Sequence, residues 1–194
     1  FWIRRPAVRL TSHKTETSRS NAVLPLLASN LIAVQEPTTP PPMNLACPDE
    51  VRQQLDGLYQ WQVQRMDQPN SPAASLSSQS ERFSPRLFSL LTQARQLTPS
   101  KDGRYLDFDV FSNTQVRTFS AVITGCSAAQ KNSILAAVEV QAGLRKTPSA
   151  TPRRLEYELQ RNCTGQWKIA EITYRNERVF HLRTYLEKLV NPTP

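Results

Sequence analysis

Cys163-Thr-Gly-Gln-Trp-Lys-Ile-Ala-Glu-Ile-Thr-Tyr174 carries the clearest architectural signal in the chain. Its polar turn on Thr164-Gly165-Gln166 leads into an apolar, β-branched and aromatic run, so it reads as the return strand of a tight hairpin. A chain reversing within three residues pairs antiparallel with the strand before it. That strand, 153–163, places Leu155, Tyr157 and Leu159 on one side and Glu156, Glu158 and Gln160 on the other. One face is buried and one is wet. Two more strands precede it, at 117–128 and 132–143, broken at 129–132 and 146–152. Short polar connections between consecutive strands predict a four-stranded antiparallel meander.

Outward from the sheet, the pattern turns helical. Val51, Leu55, Leu58, Tyr59, Val63 and Met66 recur at helical spacing over 49–66, with Asp49 and Glu50 in the first turn, where carboxylates suit the helix dipole. A Ser- and Pro-rich flexible loop is expected over 67–80. Phe83, Leu87, Leu90, Leu91, Ala94 and Leu97 define a second helix, with Ser84 as N-cap and Pro85 in its first turn. The tail, 179–190, repeats the period at Val179, Leu182, Leu186 and Leu189 and is expected to fold back on the sheet. His181 is assigned to that helix. Between the second helix and the sheet, Tyr105-Leu-Asp-Phe-Asp-Val-Phe-Ser-Asn-Thr-Gln115 reads as a half-buried strand or an ordered loop, with Asp107 and Asp109 on one side.

At 194 residues with 39% hydrophobic and 21% charged side chains, the chain supports one globular domain, placed at 48–190 with a short tail at 191–194. The net charge of +8 invites a nucleic-acid reading, but half of it lies in residues 1–35, on Arg4, Arg5, Arg9, Lys14 and Arg19 against Glu16. The rest is dispersed, without the basic stripe that phosphate binding needs. Nucleic acid is therefore not an expected partner.

Residues 1–47 join a basic flank, an uncharged apolar run over 21–34 and prolines at 37, 40, 41 and 42. The run is shorter than the ~20 residues that span a bilayer, and with Ala33 near its end it has the outline of an export signal followed by an extended spacer. The alternative is a poorly ordered arm. Extracytoplasmic location is the expectation; a start at Met43 would make it cytoplasmic. Asn44-Leu-Ala-Cys47 has a lipoprotein outline, but Asn44 stands where an aliphatic residue belongs.

Three cysteines without C-x-x-C spacing argue against zinc. In a meander, the ends of the first and third long strands lie at one edge of the sheet, which makes Cys126 and Cys163 the candidate disulfide. The second strand stands between them, at ~4.8 Å per strand against a limit of ~7 Å between Cα atoms, so closure would need strong coiling or a bulge near Gly125. Two buried thiols are the alternative. Asp107 and Asp109 lack the glycine and distal glutamate of a calcium loop, and no metal or cofactor is expected. Only His13 and His181 are present, which disfavours a histidine-based catalytic pair.

Phe83-Ser-Pro-Arg-Leu87, the 106–115 segment, and Gly165-Gln-Trp-Lys-Ile169 with Ile172 and Tyr174 resemble the DUF3828 family of small bacterial secreted or lipid-anchored proteins. The resemblance spans about residues 48–190, with Val110 standing where the family has proline. It implies an α+β fold of the nuclear-transport-factor-2-like (NTF2-like) cone type: two N-terminal helices packed on a curved four-stranded antiparallel meander, with a C-terminal helix. Cones of this type host hydrolases, isomerases, immunity proteins and assembly modules, so the fold alone does not choose.

An enzyme of this type would need a pocket Asp/Tyr pair drawn from Asp107, Asp109, Tyr59 and Tyr157. A binding module needs only a lined surface, for which Tyr59, Trp61, Tyr157 and Trp167 supply aromatic candidates, each with core packing as its bland alternative. The preferred expectation is a non-enzymatic extracytoplasmic binding or assembly module with protein partners. The expectation extends to an accessory subunit of a larger, membrane-associated complex, with association at a membrane surface and a homodimer through the sheet face as possible contacts. An inhibitor or immunity-type protein is a further alternative.

Overall fold

The computed structural model describes residues 46–130 and 132–192. The export-signal and proline-rich readings therefore fall outside the described residues. Within them, four long strands appear where alternation and turn chemistry place them: β1 (Arg117–Ala128), β2 (Ser133–Leu144), β4 (Arg153–Arg161) and β5 (Trp167–Tyr174). The sheet nevertheless has six strands, because β3 (Thr147–Pro148) pairs with the end of β2 and β6 (Phe180–His181) pairs with the end of β5. All pairings are antiparallel, in the order β1-β2-β4-β5-β6. The fold is α+β, with an open antiparallel sheet.

Register shifts interrupt β1 at Thr118/Ser120 and Ile123/Gly125, and β5 opposite Glu158/Leu159, where Ala170 is the extra residue. Each extra residue bends its strand and raises the local twist. Helix α1 (Asp49–Asp67) packs chiefly against β1, and α2 (Pro85–Gln96) against β5 and the C-terminal α4 (Leu182–Val190). Ser84 caps α2 as expected, its side chain accepting from Leu87 N. The core holds Leu55, Leu58, Leu87 and Leu91 from the helices and Leu155, Tyr157, Ile169 and Ile172 from the sheet.

Three local expectations are corrected. The 67–80 segment is not a featureless loop: Pro72–Ala74 and Leu76–Arg82 form 3-10 turns, and Arg82 Nη1 donates 3.0 Å to the Gln54 carbonyl of α1. The 105–115 segment is the ordered-loop alternative, pinned by an Asp109–Thr114 bridge, and a one-turn helix, α3 (Pro99–Asp102), precedes it. His181 lies in β6 rather than in the last helix, because Phe180 and His181 are held in register with Tyr174 and Thr173 before α4 begins.

The disulfide joins Cys47 to Cys126, with Cα atoms 5.0 Å apart, and Cys163 is an exposed free thiol. The expected Cys126–Cys163 pair fails for the reason that opposed it: β2 separates β1 from β4. The bulge near Gly125 does not remove that strand. Instead α1, lying over β1, brings Cys47, two residues ahead of Asp49, to the end of that strand. A Cys47 sulfur held in this bridge is not available for attachment of a lipid.

Candidate functional site

Four of the functional candidates, Tyr59, Trp61, Asp109 and Tyr157, converge on the interface between α1, the 104–116 loop and the sheet. Tyr59 on α1 and Tyr157 on β4 are buried, their hydroxyls 2.7 Å apart, and Tyr59 also donates 3.0 Å to the Phe111 carbonyl. Tyr174 on β5 donates 2.9 Å to the Val110 carbonyl. The loop carries polar backbone into the core, and these phenols satisfy it. Burial pushes all three hydroxyls above the ordinary tyrosine range, and for Tyr59 the neighbouring Tyr157 adds to the rise.

A second polar chain runs beside the first. Thr118 Oγ1 accepts from Gln62 Nε2 at 3.4 Å, Gln62 Oε1 accepts from Arg65 Nε at 2.8 Å, and Arg65 pairs with Asp109. The other oxygen of Asp109 accepts from Phe111 N at 2.9 Å, closing the turn that continues to Asn113, whose φ is 52°. Arg65 also lies over Trp61 at 4.9 Å, while Trp61 Nε1 donates 2.7 Å to the Ala73 carbonyl. The two chains meet at the Phe111 backbone, so α1, the loop and β4 lock together as one unit.

Asp107 and Asp109 are therefore not equivalent. Asp109 is held inward by Arg65 and the loop amide, whereas Asp107 stands exposed in an open cleft of about 980 Å³. That cleft is also lined by Arg95, Arg117, Met66, Leu106 and Phe108. Arg117 is paired with Asp67, and Arg95 has no carboxylate within 4.0 Å among the described residues. Arg95 is thus the cleft's uncommitted cation.

The sequence candidates divide accordingly. Tyr59, Tyr157, Trp61 and Asp109 come together, but as a packed and hydrogen-bonded unit. Among the described residues no hydrogen bond joins Asp107 or Asp109 to a tyrosine hydroxyl, so the Asp/Tyr pair is not assembled. Trp167 sits apart at the start of β5, 6% exposed, under Arg161 at 4.7 Å, and its buried Nε1 lacks a hydrogen-bond partner. Sequence reasoning missed Gln62, Arg65 and Arg95. Gln62 carried a usable signal: it falls seven residues after Leu55, inside the apolar stripe, and a glutamine there must find buried partners.

Among the described residues no group of three His, Cys, Asp or Glu side chains could hold a metal, and no helix is long and apolar enough to cross a membrane. Compared with known proteins, the chain matches no family model, no curated protein and no solved structure.

Proposed function

We propose that this chain is a non-enzymatic, extracytoplasmic binding or assembly module with an NTF2-like cone, akin to DUF3828 proteins. One observation carries the non-enzymatic part: the phenols that would do proton chemistry are spent. Tyr59, Tyr157 and Tyr174 are buried against each other and against backbone carbonyls, and burial raises their pKa values away from neutral pH. A general acid or base works best with a pKa near the operating pH and within reach of its substrate. These groups have neither.

The recognition surface in this reading is the solvent-open cleft on the other side of the loop, where Arg95 and Asp107 present charge above an apolar floor. The extracytoplasmic part rests on the Cys47–Cys126 bridge, since disulfides persist in oxidising compartments. A homodimer through the open sheet face has less support. That face carries Glu139 paired with Arg154 and Glu156 paired with Arg175, and Val122 is its one large exposed apolar residue among those described.

The test is co-purification from an envelope fraction with wild type and Arg95→Glu in parallel. A stoichiometric partner lost on charge reversal supports the reading. Retention of the same partners by both proteins removes the cleft from it. Hydrolysis or isomerisation of a screened substrate, abolished by Tyr59→Phe, would replace it with the enzyme alternative.

A further inference from the structure

Strand register gathers two loops at one end of the sheet. Arg117 pairs with Gly143, Val140 with Arg153, Leu155 with Tyr174, and Tyr174 with Phe180. The β2–β3 tip, Leu144-Arg-Lys146, and the β5–β6 loop, 175–179, therefore project from the same edge. Their apolar residues are turned outward: Leu144 is 71% exposed and Val179 is 53% exposed. Three of their cations are uncommitted as well. Arg153 and Arg175 pair with Glu177 and Glu156, but Arg145, Lys146 and Arg178 have no carboxylate within 4.0 Å among the described residues. A cleft of about 950 Å³ is bordered by Leu144 and Glu177 and lined with hydroxyls and amides from Thr114, Thr147, Ser149, Thr151 and Asn176.

The two tips repeat one chemistry, an aliphatic side chain in water next to unpaired cations. A stable protein interface is built round a continuous buried core with aromatic or arginine anchors in pockets. Two separate aliphatic tips supply no such core. An anionic lipid surface asks for less: shallow insertion of apolar side chains, with Lys and Arg beside the headgroup phosphates.

We propose that this end of the domain docks on an anionic lipid surface, Leu144 and Val179 entering the headgroup–acyl boundary while Arg145, Lys146 and Arg178 contact headgroup phosphates. Polar groups of the cleft between the tips face the headgroups in that orientation. The proposal deepens the binding-module reading and rests on it. Its failure would leave the Arg95 cleft untouched, because the test reports lipid contact alone.

The full chain is used in a Cys163→Ser background, with an environment-sensitive fluorophore placed singly at Leu144→Cys, Val179→Cys and, as control, Val122→Cys on the open sheet face. Vesicles of phosphatidylcholine with and without phosphatidylglycerol are titrated at low and high salt. The expected result is a blue shift and quenching by bilayer-embedded quencher at 144 and 179 but not at 122, confined to anionic vesicles and weakened by salt. Replacing Arg145, Lys146 and Arg178 by Gln should lower partitioning about fivefold for each residue and about a hundredfold together. Residues 1–47 contribute equally to both proteins and cancel in that ratio. Equal responses at 144, 179 and 122, no preference for anionic vesicles, or a triple variant within about twofold of its parent would each overturn the proposal.

Discussion

Removing the Cys47–Cys126 bridge should cost this domain a large part of its stability. The two cysteines are 79 residues apart. For a loop of that length the chain-entropy relation gives a destabilisation of about 4.5 kcal/mol at 25 °C, near the top of the range of about 2–5 kcal/mol seen for native bridges. For a domain of about 150 residues, unfolding entropy near the midpoint converts that into a fall in Tm of about 10–15 °C. The bridge also fixes where α1 starts over β1, so the loss should appear first in that corner. The assay is thermal unfolding followed by circular dichroism, comparing the Cys47→Ala, Cys126→Ala double variant with the parent and with Cys163→Ser. Intact mass after alkylation, with and without reduction, verifies one bridge and one free thiol in the parent. Cys163→Ser should be neutral, because that thiol is exposed. A double variant melting within about 2 °C of the parent, or a parent with three alkylatable thiols, would overturn this account of the bridge.

Four further outcomes are expected. Tyr59→Phe should cost about 1.5–3 kcal/mol in denaturant unfolding, because the Phe111 carbonyl and the Tyr157 hydroxyl both lose a buried partner; adding Tyr157→Phe should cost less than the sum of the two single changes. Asp109→Ala strands Arg65 and the Phe111 amide, and since the pair is 18% and 13% exposed its cost should lie between those of surface and buried pairs, about 2–3 kcal/mol. Alkaline unfolding should follow from the buried phenols. Their folded pKa values are raised, so their contribution is fully present below the unfolded value of about 10 and is lost as pH climbs above it. Tyrosinate absorbance should therefore rise together with loss of circular dichroism, and ionisation of all five tyrosines in a folded protein would contradict this. Gly143→Ala should disturb the β2–β3 turn more than Gly57→Ala disturbs α1, because a Cβ at 143 meets the rigid Thr147 carbonyl while at 57 it meets the movable end of Arg82; the melting points of the two variants check the order.

The local layer is legible in neighbouring residues alone. The apolar period placed α1 and α2 within a residue or two, Ser84-Pro85 marked where α2 begins, and alternation with short polar turns fixed four long strands and their antiparallel order. Such features are written in neighbours a few residues apart, where backbone geometry imposes periods of 3.6 and 2. Packing in three dimensions settles which distant residues meet. Cys126 pairs with Cys47 rather than Cys163, Tyr59 meets Tyr157 across 98 positions, and Arg65 meets Asp109 across 44. No local period encodes those meetings. They follow from the side of the sheet that α1 covers and from the bends at the bulges of β1, and both are set by how the apolar faces bury one another. The same packing turned Asp109 inward and left Asp107 in water, although the two stand on one side of an alternating pattern.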